Sequence, residues 1–546
     1  MELNVMLDQR RIDAMRTAGW WRDQLLLEAF DRHVARNPEK IALVALDTGS
    51  GRRVRFSYGE LAWKVDRIAL NLTRLGLRRG DVLSCQLPPW WQFAALHLAC
   101  LRIGVITNAL MPILRERELS FMLELAESKL LVIPKHFRGH DYASMVAGIR
   151  DRLPQLRHVL EIDASDSGSF DAELLDFPAP ETWREYFQAP GANDVIQLLY
   201  TSGTTGEPKG VMHTSNTLMS GLDAYARRTA LSADDTFLVA TPIAHQTGFV
   251  YGVVVGLYVG GKVVMQDAWD PLIAADLIES EQVSVTNGAT PFLADLTELA
   301  ASRPTAFASL RLFFCGGAAI PRALVRRGIE QMQVHLLTAW GMTENGPVTT
   351  TTLDDPPEKI FETDGKPLDG LEVRVVDAHG ACLPSGEEGF LQARGCSQFV
   401  GYLKRPDQYA TDAQGWLDTG DLARMDADGY IRVTGRSKDI VIRGGENIPV
   451  VEVEGLLYRH PKVAEVAIVG MPDERLGERC CAFVVARPGE ALDLAEICAF
   501  LVREQLARQY LPERLELVAS IPKTPSGKVQ KSKLREMAKQ FRKEPV

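Results

Sequence analysis

The stretch YTSGTTGEPKG, Tyr200 to Gly210, combines three glycines, four Ser/Thr hydroxyls and one lysine, directly after the apolar run VIQLL. A glycine-rich turn leaving a strand presents successive backbone N–H groups, which together form an anion-binding concavity. Thr201, Ser202, Thr204 and Thr205 add hydroxyl donors, Gly203 and Gly206 loosen the turn, and Lys209 brings a mobile positive charge. The chemistry that suits this set is the holding of a polyphosphate. It is not a Walker A loop, which needs glycine just before the lysine, where Pro208 stands. Taken alone, so short a string also reads as a solvated Gly/Thr turn.

Other stretches carry chemistry-bearing residues. CGGAAI (315–320) sets Gly316, Gly317 and Ala318 after an apolar run, where backbone can approach a flat ring closely. AWGMTEN holds Trp340, an aromatic that can stack on a base, with Gly341, Thr343 and Glu344 behind it. TPIAHQTG holds His245, which by residue type alone reads as a satisfied core histidine. Asp421 in TGDLA either caps a turn or accepts hydrogen bonds from a ligand. Basic residues crowd from Lys523 to Lys543, and most read as a solvated face.

The whole chain limits the options. At 546 residues it holds ~3 to 4 domain-sized units, or one large composite domain and a smaller one. A net charge of −10 argues against a nucleic-acid partner, which would need a basic field. The eight cysteines form no C-x-x-C pair, so neither a zinc ribbon nor a disulfide framework is signalled, and a reducing cytoplasmic setting is expected. The charged N-terminus MELNVMLDQRRIDAMR lacks the apolar core of a secretory signal. Thr236 to Gly261 is uncharged, with Gly248, Gly252, Gly256 and Gly260 at four-residue spacing. Pro242, His245, Gln246 and Thr247 interrupt it, so the expectation is a strand, a turn and a glycine-packed core helix rather than a transmembrane segment. No G-x-G-x-x-G, H-E-x-x-H or G-x-S-x-G occurs, which leaves dehydrogenase, zinc protease and serine hydrolase without support.

The elements that must position these residues alternate. IALVAL, DVLSCQL, LLVIPK, DVIQLLY, FLVATP, GKVVMQ, QVSVTNG and LRLFFCGG read as strands with helical patterns between them, which implies an α/β fold of mostly parallel sheets. After about Gly365 the texture shifts to short strands with turns such as DADG, an antiparallel or barrel-like piece. Beyond Asp439 a compact α+β unit is expected.

Five stretches in order, YTSGTTGEPKG, TPIAHQTG, AWGMTEN, WLDTGDLA with GRSKDIVIRGGEN, and PKTPSGKVQK, make the chain resemble the adenylate-forming acyl-CoA synthetases from about residue 30 to its end. These enzymes activate a carboxylate with ATP and pass the acyl group to coenzyme A. The resemblance implies a large AMP-binding domain over 1–436 and a small mobile domain over 437–546, with a hinge near Lys438. It implies that Thr201 to Lys209 close over the β- and γ-phosphates, that Glu344 and Thr201 hold Mg2+, and that Thr343 contacts the α-phosphate. Asp421 would take the ribose hydroxyls, Arg436 would assist, and Trp340, where the family most often has tyrosine, would stack on adenine. Gly444 and Gly445 match the passage of the pantetheine arm, and Lys528 matches the lysine that reaches the adenylation centre.

The same resemblance places His245 at the gate of the acyl pocket. Relatives that activate amino acids carry an aspartate just after that position, where this chain has Gln246, so an apolar, uncharged acid is expected. PPWWQF (88–93), PILRERELSFML (112–123) and VIPKHFRG (132–139) look closest to bacterial ligases for cyclohexanecarboxylate and short-to-medium-chain fatty acids. An adenylating enzyme that loads a separate carrier, and a non-catalytic nucleotide sensor, are the alternatives.

Overall fold

Runs of β-branched and large apolar residues bounded by glycine or proline pair into two large sheets, and the amphipathic segments between them cover the faces. The computed structural model describes residues 2–163, 169–177, 187, 189–201, 207–316, 322–436, 441–448, 450–457, 459–522, 529 and 531–541. The chain enters through a short helix, α1 (Gln9–Thr17), capped by Asp8, whose carboxylate accepts from the Arg11 amide.

The first sheet has six strands. Val82–Cys85 lies between Ile106–Ala109 and Leu130–Pro134, all parallel, and His158–Ile162 extends that side. On the other side β1 (Val195–Thr201) adds in parallel, and β2 (Lys209–Thr214) returns antiparallel along it. The register sets Lys209 opposite Thr201, so the two ends of the glycine-rich stretch stand side by side. Helix α2 (Ser215–Arg228) starts directly from β2, capped by the Thr214 hydroxyl.

The second sheet has nine strands. Ile41–Leu46, Lys262–Gln266, Thr236–Val239, Val285–Gly288, β3 (Leu312–Gly316) and β4 (His335–Met342) run parallel, with antiparallel strands added at both ends. Between the sheets sits the largest apolar cluster, in which Phe93 meets Phe249 edge to face at 4.7 Å between ring centroids. In open α/β sheets ligands bind beyond the carboxyl ends of the parallel strands.

The uncharged stretch lies inside this core. It forms Thr236–Val239, a short helix Gln246–Gly248, a π-helical turn Phe249–Val254 and an α-helical end Val255–Val259. The expectation of strand, turn and core helix holds, but the π turn is not visible in the residue pattern. The glycine spacing serves close packing: a Cβ at Gly248 would lie 2.3 Å from the Pro242 carbonyl oxygen, and one at Gly256 2.6 Å from Val263. Among the described residues no helix is long and apolar enough to cross a membrane.

The texture change after Gly365 corresponds to a four-stranded antiparallel sheet of Leu371–Val376, Glu388–Gly395, β5 (Leu417–Met425) and β6 (Ile431–Arg436). The last unit begins with a hairpin of β7 (Val441–Arg443) and β8 (Glu446–Ile448), joined to strands Gly477–Ala486, Val463–Asp473 and Arg514–Leu517. It has its own core around Val453, Leu457, Ile468, Val484 and Ile497.

Candidate active site

A cavity of about 210 Å3 lies at the carboxyl ends of β3 and β4. Thr201 and Lys209 reach its wall from the paired ends of β1 and β2, Gly316 from β3, and Trp340 and Gly341 from β4. Thr343 and Glu344 follow in the three-residue loop between β4 and the returning strand Gly346–Thr350, a hairpin that needs the left-handed conformation Gly346 adopts (φ +66°). His245, Gln246 and Thr247 form a further wall, and Gly445 reaches in from the C-terminal unit. Residues far apart in sequence thus converge where the sheet topology predicts a ligand. Ser202, Gly203, Thr204, Thr205, Gly206, Gly317, Ala318, Lys438 and Lys528 lie outside the described residues.

Tyr402, which the sequence does not single out, sits between two of the expected residues. Its hydroxyl donates to Glu344 Oε1 at 2.7 Å, and the Lys209 ammonium stands 4.7 Å from its ring centroid. Burial and the neighbouring carboxylate both push the phenol pKa up, so it stays a donor. Its segment is laced to the Glu344 loop: the Phe399 amide donates to the Glu344 carbonyl at 2.7 Å and the Ser397 hydroxyl to the Asn345 carbonyl at 2.7 Å. Arg11 of α1 closes that segment from outside, donating to the carbonyls of Phe399, at 3.0 Å, and Gln398.

His213, on β2, is the second residue missed. Its Nε2 donates to the Thr343 carbonyl at 2.8 Å, which fixes the tautomer and leaves Nδ1 to accept from the Thr217 hydroxyl at 3.1 Å. Burial lowers its pKa to about 4 against that hydrogen bond, so the ring is neutral. Gln246 donates to Gln197 Oε1 at 3.0 Å and lies 3.5 Å from the same Thr343 carbonyl. His245 caps the short helix that follows, its Nδ1 accepting from the Thr247 amide at 3.4 Å, and burial lowers its pKa too.

Trp340 donates its indole N–H to Asp421 Oδ2 at 2.9 Å. Asp421 is 3% exposed and does not itself face the cavity, whereas its neighbours Asp418, Thr419 and Gly420 do. β5 and β6 pair Asp421 with Arg436 in register. Tryptophan at 340 therefore ties the base side of the site to the expected ribose acceptor, a link that neither residue type signals alone.

A second cavity, about 430 Å3, lies between the two units. Pro88, Pro89, Pro112, Arg115, Phe137 and Arg138 line one side, and Glu446, Arg508 and Gln509 the other. The three stretches whose likeness points to cyclohexanecarboxylate and fatty-acid ligases thus line this outer space rather than the inner cavity. The units also touch through Arg475 and Asp295 at 3.1 Å and through the Ala507 amide on Glu118 Oε1 at 3.3 Å. Gly444 and Gly445 form the tip of the β7–β8 hairpin with φ +57° and +88°, both positive as a two-residue type I′ turn requires. A Cβ at Gly445 would lie 2.9 Å from that of Ala289.

Comparison with known proteins agrees with this geometry. Residues 30–403 match the AMP-binding enzyme family, and residues 452–528 match the AMP-binding enzyme C-terminal domain. The chain is 36% identical to the medium-chain fatty-acid–CoA ligase of Escherichia coli (strain K12) over 538 residues, 98% of this chain and 94% of that protein. It is 34% identical to the 2,3-dihydroxybenzoate-AMP ligase of Bacillus subtilis (strain 168), covering 96% and 95%. Among solved structures, the amide bond synthetase McbA from Marinactinospora thermotolerans superposes with a TM-score of 0.82 at 29% identity, covering 93% of this chain and 99% of that one. With both of its parts matched and Thr201, Lys209, Trp340, Thr343 and Glu344 on one cavity, the chain belongs to the AMP-binding enzymes, in the adenylate-forming acyl-CoA synthetase family.

Proposed function

We propose that this protein joins an apolar, uncharged medium-chain or alicyclic carboxylate to coenzyme A through an acyl adenylate, releasing pyrophosphate and AMP. The observation that carries the acid class is the wall formed by His245 and Gln246 with Tyr225, Tyr251 and Phe314, which offers no carboxylate to an ammonium group. Burying an unpaired ammonium there would cost several kcal/mol, on the order of the penalty for any unmatched buried charge. The identity to a medium-chain fatty-acid–CoA ligase supports the same reading.

In the first step a carboxylate oxygen attacks the α-phosphorus of ATP and pyrophosphate leaves, so negative charge grows on both phosphate groups. Lys209, paired beside Thr201, would meet the β- and γ-phosphates, and Thr343 the α-phosphate. The Glu344 carboxylate and Thr201 hydroxyl on one cavity wall are hard oxygen donors that leave room for phosphate oxygens, a set that suits Mg2+. Bound there, the ion would neutralise phosphate charge. Tyr402 and His213 orient the carboxylate and the carbonyl of that loop. In the second step the thiol of coenzyme A displaces AMP, approaching past Gly445. Arg115, Arg138 and Arg508 in the outer cavity suit the phosphates of coenzyme A.

Pyrophosphate release measured with ATP and a panel of acids, with and without coenzyme A, tests this. C4–C10 linear or alicyclic acids should react and give thioesters, and a comparable rate with any free amino acid would overturn the acid class. A second reading, transfer to a carrier protein's phosphopantetheine, draws on the likeness to the 2,3-dihydroxybenzoate-AMP ligase. It predicts a carrier-bound acyl group and little free acyl-CoA.

A further inference from the structure

The tip of the β7–β8 hairpin separates the two cavities. Gly445 lies on the inner wall and the next residue, Glu446, on the outer wall. Gly444 anchors the tip, its amide donating to the Leu476 carbonyl at 2.7 Å, and a Cβ at Gly445 would lie 2.9 Å from that of Ala289, so the tip passes Ala289 only as glycine. A thiol passing from the outer space to the acyl group therefore passes the Glu446 side chain. Thioester formation from a neutral thiol also releases one proton, and the acceptors on the inner wall are engaged: His245 uses Nδ1 on Thr247, Glu344 receives the Tyr402 hydroxyl, and Asp418 Oδ1 receives the Gly420 amide.

We propose that the Glu446 carboxylate takes the proton of the coenzyme A thiol in the second half-reaction. This rests on the acyl-CoA reading above. As sulfur bonds to the acyl carbon, the S–H proton passes to a Glu446 oxygen. The bond from the acyl carbon to the AMP phosphate oxygen breaks, AMP leaves with that electron pair, and Glu446 then returns its proton to water through the outer cavity.

The surroundings of Glu446 suit the task. No hydrogen bond to its carboxylate is present among the described residues, and burial raises its pKa to about 7, near the operating range a general base requires. The other charged and titratable groups on the same cavity are Arg115, Arg138, His140, Tyr142, Asp267 and Arg508. Its cross-strand neighbour Arg443 is held by Glu513 at 2.7 Å, so the hairpin's own cation is directed elsewhere.

The test mixes pre-formed octanoyl adenylate with coenzyme A and follows octanoyl-CoA from pH 5.5 to 9. Wild-type enzyme should show a rate that rises through about pH 7 and then levels. Glu446→Gln should slow this step by ~10²- to 10⁴-fold. Its residual rate should climb instead toward a thiol's own ionisation, roughly pH 8.5. Glu446→Asp should restore part of the rate with the limb near pH 7. ATP–pyrophosphate exchange with octanoate, read on the same variants, should stay close to wild type and certify the fold. Thioester formation in Glu446→Gln within about threefold of wild type and with the same pH profile, or an equal loss in exchange and thioester formation, would overturn the proposal. Failure of the wild-type enzyme to form octanoyl-CoA at all would instead defeat the acyl-CoA reading on which it rests.

Discussion

Tyr402 donates its hydroxyl hydrogen to Glu344, 58 positions earlier in the chain, while its ring face carries the Lys209 ammonium. One side chain thus spans the expected magnesium carboxylate and the expected phosphate lysine. Tyr402→Phe keeps the ring and removes only the donor. A hydrogen bond to a charged group is worth ~1.5–3 kcal/mol, so pyrophosphate release should fall roughly tenfold to a hundredfold. The magnesium concentration for half-maximal rate should rise with it. Unchanged magnesium dependence in this variant would mean that the hydroxyl does not orient Glu344.

His213 predicts an acid-sensitive fold. Its pKa is about 4 in the folded chain, below the 6.5 of an unconstrained histidine, so the unfolded state takes up the proton first as pH falls. The contribution of the neutral ring to stability is fully present above pH 6.5 and is lost as pH falls from there to about 4. His213→Leu should flatten the dependence of the urea midpoint on pH across that window. It should also slow pyrophosphate release, because the Thr343 carbonyl loses its 2.8 Å donor. A slope equal to wild type would show that other groups account for acid loss.

The hairpin tip separates the two half-reactions. Gly445→Ala puts a Cβ on a residue at φ +88° and within 2.9 Å of Ala289. The left-handed conformation alone costs an alanine ~1–2 kcal/mol. Thioester formation from a pre-made adenylate should fall at least about tenfold, while adenylation stays within about threefold. Equal loss in both assays would mean that the tip is needed for the inner cavity itself.

Trp340→Phe removes the indole donor to Asp421 and keeps an aromatic face. A buried carboxylate deprived of one donor costs ~1–3 kcal/mol, which should appear as a KM for ATP raised about tenfold with kcat little changed. Tryptophan fluorescence quenched by ATP in the wild type and absent in the variant would place the ring at the nucleotide. An ATP KM equal to wild type would separate Trp340 from nucleoside binding.

The parts of this site that a reader of the sequence can find are those whose chemistry is local. Thr201 and Lys209 announce themselves because hydroxyls, glycines and a cation crowd one turn, and Glu344 because it follows an aromatic–glycine pair at a strand end. The alternating runs give the parallel sheets, and hence the edge at which a ligand sits. Tyr402, His213 and Arg11 stay hidden for the opposite reason. Tyr402 sits in FVGYLK and His213 in GVMHT, stretches that read as ordinary structure, and their partners come from other elements. The one available hint for His213 is a threonine four positions on, at the start of a helix. The π turn at Phe249–Val254 is equally silent, since an uncharged run carries no polar marks from which its wider period could be read. The outer cavity draws its wall from three stretches and a second unit, which no local pattern joins.

Arg11 has a consequence for how the molecule can be cut. The family match begins at residue 30, so α1 belongs to the part of the chain outside it. Yet its guanidinium ties down the carbonyls of Gln398 and Phe399, three residues before the tyrosine that bonds Glu344, and the Met6 amide adds a 2.7 Å bond to the Val400 carbonyl. A fragment begun at residue 30 would keep every motif residue and lose the brace behind them. In this enzyme a terminus that looks dispensable is a structural partner of the segment that bonds the Glu344 loop, and a fusion or tag placed there acts on that loop through Arg11 and Met6.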